Sequence, residues 1–177
     1  MLRFIFVTIL ALFLFACSGM DINQYKNETP KLDLQSYLNG KIKGYGIVQD
    51  RSHNVTKRFD FSGNASWSGS VGTFNEKIVY TDGKVDKRIW KFTKINDGYY
   101  EATTPDVIGK ATIKIAGNAM NWKYTMNVKV DDDTTYKIDF DDWMFLMNDG
   151  KLVNRNYFHK YGLDVGELTL FMEKQSK

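Results

Sequence analysis

From Met120 to Val130 the chain alternates without a break. Met120, Trp122, Tyr124, Met126, Val128 and Val130 are apolar, and Asn121, Lys123, Thr125, Asn127 and Lys129 between them are polar. Side chains that point alternately to opposite faces segregate in this way only on a β-strand with one buried face; a helix would scatter them around its axis. The same parity holds from Arg58 to Trp67, where Phe59, Phe61, Gly63, Ala65 and Trp67 alternate with Arg58, Asp60, Ser62, Asn64 and Ser66. Less regular segments lie at about 41–50, 72–80, 85–95, 98–104, 107–116, 134–147, 151–159 and 165–173. Asp82-Gly83, Asp97-Gly98, Gly117-Asn118, Asn148-Asp149-Gly150 and Tyr161-Gly162 punctuate them as turns. The expected architecture is all-β: an antiparallel up-and-down β-barrel of about ten strands over residues 36–177. Closing the meander removes both exposed sheet edges, and short sequential hairpins argue against a two-sheet sandwich, which needs long crossovers. Twelve Phe, ten Tyr and four Trp against two Pro supply the apolar surface such a core needs, which excludes a disordered chain.

The amino-terminal segment has a different character. Arg3 is followed by a charge-free run from Phe4 to Phe15, too short for a bilayer core that needs about 20 apolar residues and suited to an export signal. Leu14-Phe15-Ala16-Cys17 resembles a bacterial lipobox. That likeness implies removal of residues 1–16 and a lipid anchor on Cys17, which would hold the protein to a membrane without a spanning helix. Residues 17–35 are then expected to be the acylated amino terminus and a polar tether. Ser18, rather than Asp, after the cysteine favours the outer membrane by analogy with lipoprotein sorting in enterobacteria. With one cysteine in the whole chain, an internal disulfide framework is excluded.

Two charges fall on apolar strand faces. Glu76 shares parity with Phe74 and Ile78, and Arg88 shares parity with Trp90 and Phe92. A three-residue loop, Thr81-Asp82-Gly83, pairs 74 with 90 and 76 with 88, whereas a two-residue loop would set Ile78 against Lys87. Because a buried charge is costly without a partner, an inward Glu76–Arg88 ion pair is expected. Asp142 also faces inward by parity with Tyr136, Ile138, Phe140 and Met144, with Asp141 outward; Arg155 is a candidate to complete the internal network. These four residues, with Trp90, Phe92, Trp122, Tyr124 and Met126 as apolar walls and Arg88 as a polar anchor, form the candidate binding site for a lipid or other small lipophilic molecule. The same aromatics would equally serve as packing in a filled barrel, and that alternative assigns the protein an accessory role in envelope assembly through its outer surface.

Enzymatic readings find little support. No nucleophile elbow, His-Glu-x-x-His motif or Cys–His pairing occurs. His53 and His159 stand at no metal-ligand spacing, and the acidic runs Asp131-Asp132-Asp133 and Asp139, Asp141, Asp142 lack the spacing and glycine of a calcium loop, so no metal is expected. Gly44-x-Gly46 lacks the third glycine of a dinucleotide loop, and no cofactor is implied. Glu76 and Asp142 would suit glycoside chemistry only if both faced a cavity. With a formal charge of +3 and lysines spread along strand exteriors, nucleic acid is not an expected partner, and no protein partner is indicated.

Several short motifs carry a resemblance. They include Gly44-x-Gly46-x-Val48-Gln49-Asp50-Arg51, Phe74-x-Glu76, Arg88-x-Trp90, Asp106-Val107-Ile108-Gly109-x-Ala111, Trp122-x-Tyr124, Asp141-Asp142-Trp143-Met144, Asn154-Arg155 and Val165-Gly166-Glu167. Over about residues 28–173 the chain is similar to the proteobacterial lipoprotein family called domain of unknown function 3833. The resemblance implies a lipocalin-like β-barrel lipoprotein of a Gram-negative envelope, facing the periplasm, with no known activity. His53 stands where such sequences commonly have Gly, which implies that it decorates a loop.

Overall fold

A computed structural model describes residues 19–130 and 133–175. The expected signal segment and Cys17 lie outside the described residues, as do Asp131 and Asp132 of the acidic run. Ten strands follow in order: β1 Gly40–Asp50, β2 Val55–Ser68, β3 Val71–Tyr80, β4 Val85–Asn96, β5 Tyr99–Thr103, β6 Ala111–Ala116, β7 Ala119–Lys129, β8 Thr135–Leu146, β9 Leu152–Lys160 and β10 Leu163–Lys174. Each pairs antiparallel with its sequence neighbours, and β1 pairs with β10 from Ile42↔Lys174 to Asp50↔Gly166, closing the barrel. The all-β up-and-down expectation is met, with ten strands.

The parity seen in the sequence becomes inside and outside. Phe59, Phe61, Phe74, Trp90, Phe92, Ile113, Met120, Trp122, Met126, Leu152 and Met172 are all buried in one core. Inward glycines make room for the rings: a Cβ on Gly46 would lie 2.5 Å from Phe59 Cζ, and one on Gly63 would lie 2.2 Å from Phe74 Cε2. These glycines therefore clear space for aromatics that a larger residue would displace.

One end of the barrel is plugged. A single-turn helix, α1 Leu34–Leu38, is capped by Asp33, whose side chain accepts from the Ser36 N–H at 2.8 Å. Its Leu34, Tyr37 and Leu38 are buried, and the Tyr37 hydroxyl donates to the Met172 carbonyl. The preceding segment, expected as a tether, packs along the wall. A 3-10 turn at Ile22–Tyr25 sets the Tyr25 ring 6.1 Å from Trp143 and 5.2 Å from Phe145, and the Leu32 N–H donates to the Gly117 carbonyl at 2.8 Å. Trp143 and Phe145 point out of the barrel, so this strap covers aromatic surface that would otherwise meet water.

The other departure from the sequence reading is between β5 and β6. The strand expected from 107 begins only at Ala111. Pro105 carries no N–H for a ladder, and Gly109 has a left-handed φ of +74°. Residues 104–110 instead form a connection laid on β7, with the Ile108 N–H donating to the Thr125 carbonyl at 2.8 Å and the Asn127 N–H donating to the Asp106 carbonyl at 3.0 Å. It covers the wall where β5 and β6 stop short.

Candidate functional site

The β3–β4 hairpin turns as its sequence implies. Gly83 sits at φ +87°, Gly83 N–H donates to the Tyr80 carbonyl at 2.9 Å, and Asp82 accepts from the Lys84 N–H at 2.9 Å. The resulting register sets Phe74 opposite Trp90 and Glu76 opposite Arg88. Arg88 Nη1 donates to Glu76 Oε1 at 2.9 Å, and its Nε donates to Asp106 Oδ2 at 3.1 Å. The guanidinium thus joins the barrel wall to the 104–110 connection. Burial pushes the Glu76 carboxyl up, against the opposing pull of Arg88. Burial draws the guanidinium down, but Glu76 and Asp106 together outweigh it and hold Arg88 above its ordinary value.

A second polar group lies across the lumen on β7, β8 and β9. Register places Trp122 opposite Asp142 and Asp142 opposite Asn156, with Met144 opposite Asn154. Asp142 is 4% exposed and accepts from Asn154 Nδ2 at 2.8 Å. Burial raises its carboxyl to about 7, with hydrogen bonding from Asn154 and Tyr124 resisting the rise. Burial likewise lifts the Tyr124 phenol well above its usual range, and Asn156 Nδ2 donates to that hydroxyl at 3.4 Å. Asp141 points outward, as expected, and pairs with Lys123 at 3.0 Å.

Arg155 does not join this network. The Met147–Lys151 turn pairs Leu146 with Leu152, which sets Arg155 beside Trp143 on the outer face. There it pairs with Glu167 and lies over the Tyr157 ring at 5.3 Å. The inward positions beside it belong to Asn154 and Asn156, which the sequence reading did not single out. Their parity with Leu152 and Phe158 was the available signal. Asp106 was missed as a partner too, because a loop residue has no parity to read.

The aromatic members of the predicted site touch one another. Trp90 and Trp122 meet at 4.6 Å between ring centres, Trp90 and Tyr124 at 5.4 Å, Phe92 and Trp122 at 5.5 Å, and Tyr124 stacks on Phe140 at 4.9 Å. Phe140 continues to Phe158 at 5.0 Å, and Trp67 stacks on Phe92 at 5.7 Å. Met126 is buried with them, its sulfur 3.6 Å from Arg88 Nη2. Two sizeable cavities, of about 540 and 470 Å³, open to solvent and are lined mainly by outward-facing side chains. Within the packed layer, Trp67 Nε1, Trp122 Nε1 and Asn156 Oδ1 are buried without a hydrogen-bond partner among the described residues, while the Trp90 indole N–H lies close enough to Glu76 to help hold its carboxyl down. Among those residues, no three His, Cys, Asp or Glu side chains gather as a metal site.

Fold and site together define a closed, ten-stranded meander barrel, plugged at one end, with a charged and carboxamide layer buried among aromatic rings. Within that class the chain belongs to DUF3833, described as protein of unknown function, whose family profile matches residues 11–174. In fold it is similar to the crystal structure of Rv2717c from M. tuberculosis, with a TM-score of 0.55 at 13% sequence identity, covering 85% of this chain and 100% of that one. The sequence has no match among curated proteins.

Proposed function

We propose that the protein is a non-enzymatic lipoprotein of the Gram-negative envelope, held through an acylated Cys17 to the outer membrane and facing the periplasm, whose filled barrel is a rigid scaffold that acts through its outer wall. The observation that carries this reading is the continuous aromatic packing on the inner face, from Trp67 through Phe92, Trp122, Tyr124 and Phe140 to Phe158, with Trp90 of β4 set against Trp122 and Tyr124 of β7. A lipid-sized guest would have to part those rings. The anchor is supported by the lipobox resemblance at Leu14 to Cys17. The non-enzymatic part is supported by the engagement of each inward carboxyl, Glu76 with Arg88 and Asp142 with Asn154, behind packed rings.

A second reading, a small polar guest in the lumen, is favoured by the three unpartnered polar atoms on Trp67, Trp122 and Asn156. A buried polar group left unpaired costs about 1–3 kcal/mol, so a molecule supplying one donor and two acceptors would be welcome there. Native mass spectrometry of the protein released gently from its own envelope separates the two. The filled-scaffold reading expects the mass of the acylated chain with nothing held non-covalently. A stoichiometric lipid or small-molecule adduct that persists when the charges of the outer wall are reversed would overturn it, and an unacylated chain would overturn the anchor.

A further inference from the structure

Along the sequence the lysines are scattered, but the register of β1 to β4 draws them into a line. Lys43 faces Ser62, Ser62 faces Lys77 and Lys77 faces Lys87, so three ammonium groups stand in one row across four strands of the outer wall. Directly opposed strand residues have Cβ atoms about 5 Å apart, and like charges so placed repel. Lys43 is paired with Glu173 at 3.0 Å, whereas Lys41, Lys77 and Lys87 have no ion-pair partner among the described residues. The next row is Lys41, Asn64, Asn75 and Ile89, which adds a fourth cation, two exposed carboxamides and a half-exposed apolar side chain.

The two rows line the groove of about 540 Å³. Its one carboxylate, Glu76, turns inward to Arg88. The groove is open along the outer wall, and most of its accessible lining is apolar, with polar ends of two kinds of chemistry. Lysine ammonium groups take phosphate as point charges, and carboxamides and a hydroxyl offer the mixed donors and acceptors that sugar hydroxyls need. A bare phosphate would leave Asn64 and Asn75 unused, and a neutral sugar would leave the ammonium row uncompensated.

We propose that this groove binds a phosphate-bearing saccharide. The inference rests on the reading that the outer wall does the protein's work and identifies the place and the ligand class. The phosphorylated sugar can be free or can be the headgroup of a lipid, since both present the same chemistry to the groove.

Isothermal titration of the full chain in detergent, with glucose 1,6-bisphosphate, pyrophosphate and glucose as probes, tests it. The expected result is saturable one-to-one binding of the bisphosphate, weaker binding of pyrophosphate and none of glucose. Combining Lys77→Glu with Lys87→Glu should weaken the bisphosphate by about tenfold or more, while Lys137→Glu on β8, away from the groove, leaves it unchanged. If the double charge reversal fails to fold, Asn64→Ala with Asn75→Ala at exposed positions provides the same readout. Absence of saturable bisphosphate binding overturns the proposal. So does equal affinity for pyrophosphate, which removes the saccharide, or an equal loss in Lys137→Glu, which reduces the effect to net charge. Water-soluble dihexanoyl phosphatidylinositol distinguishes the sources: tighter binding than the free sugar phosphate assigns a lipid headgroup, weaker binding a free sugar, and either supports the shared chemistry. Repeating the envelope mass measurement on Lys77→Glu with Lys87→Glu separates the two readings: an adduct lost with the groove charges belongs to the groove and leaves the filled barrel standing, whereas an adduct that persists sits elsewhere and refutes the filled barrel without touching the titration result.

Discussion

Replacing Asp142 by Asn should make the protein more stable at neutral pH and no more stable near pH 4. Asp142 is 4% exposed, and burial lifts its carboxyl from 3.8 to about 7. The folded state therefore keeps a proton that the unfolded chain releases between those values. For an acid raised on folding, the stabilising contribution is complete below pH 4 and is lost as pH rises towards 7. A shift of about 3 pH units at 1.36 kcal/mol each gives a loss of about 4 kcal/mol. Asn at 142 keeps a carbonyl oxygen able to accept from Asn154 Nδ2 and never ionises, so the variant should be level with the natural protein at pH 4 and gain up to about that amount at pH 8. Urea unfolding at half-unit pH steps measures both curves. Glu76, also raised by burial, slopes the same way and repels Asp142 through space, so the difference between the curves reads Asp142 together with that coupling. Asp50, Asp97 and Asp149 are lowered by side-chain hydrogen bonds, so their contribution is lost only as pH falls below about 4, outside the window. Parallel curves between pH 4 and 8 would refute the reasoning, because they would mean that Asp142 is solvated in the folded protein.

Arg88→Met leaves Glu76 and Asp106 with no cation between them, and because the pairs are only partly buried the cost falls between that of an exposed pair and that of a buried one, about 1–3 kcal/mol. Equilibrium unfolding should show that loss, with the double variant Glu76→Gln, Arg88→Met losing less than the single change. An additive double variant would contradict the coupling. Gly63→Ala puts a Cβ 2.2 Å from Phe74 Cε2, an overpacking expected to cost about 1–3 kcal/mol by thermal melting. Trimming the ring with Phe74→Leu in the same chain should recover part of that loss.

Much of the candidate site was legible, and what was not had a physical cause. The Glu76–Arg88 pairing could be derived because a Gly at the left-handed position of a three-residue turn sets register, and register plus parity sets which side chains meet. Asp142 was assigned to the inside, and Asp141 to the outside, by parity alone. Arg155 was misplaced because the 147–151 turn left two registers open, and a one-residue slip exchanges the two faces. Asn154 and Asn156 look like surface residues in type, which outweighed their parity with Leu152 and Phe158; pairing with Met144 and Asp142 makes them the amide half of a buried layer. The strap at residues 22–32 is polar along most of its length, so composition suggested a solvated tether, and its hold on the barrel depends on Tyr25 meeting two aromatics more than a hundred residues away.

Read alone, the chain already specifies strands, turns and the facing of almost every strand side chain, since alternation is a property of the extended backbone and acts between near neighbours. Tertiary structure alone decided three things: the register in which β1 meets β10, that the inner rings touch, and that Lys43 joins Lys77 and Lys87 in one row. All three depend on strand stagger and on side-chain volumes meeting from distant parts of the chain. Local pattern carries no record of either.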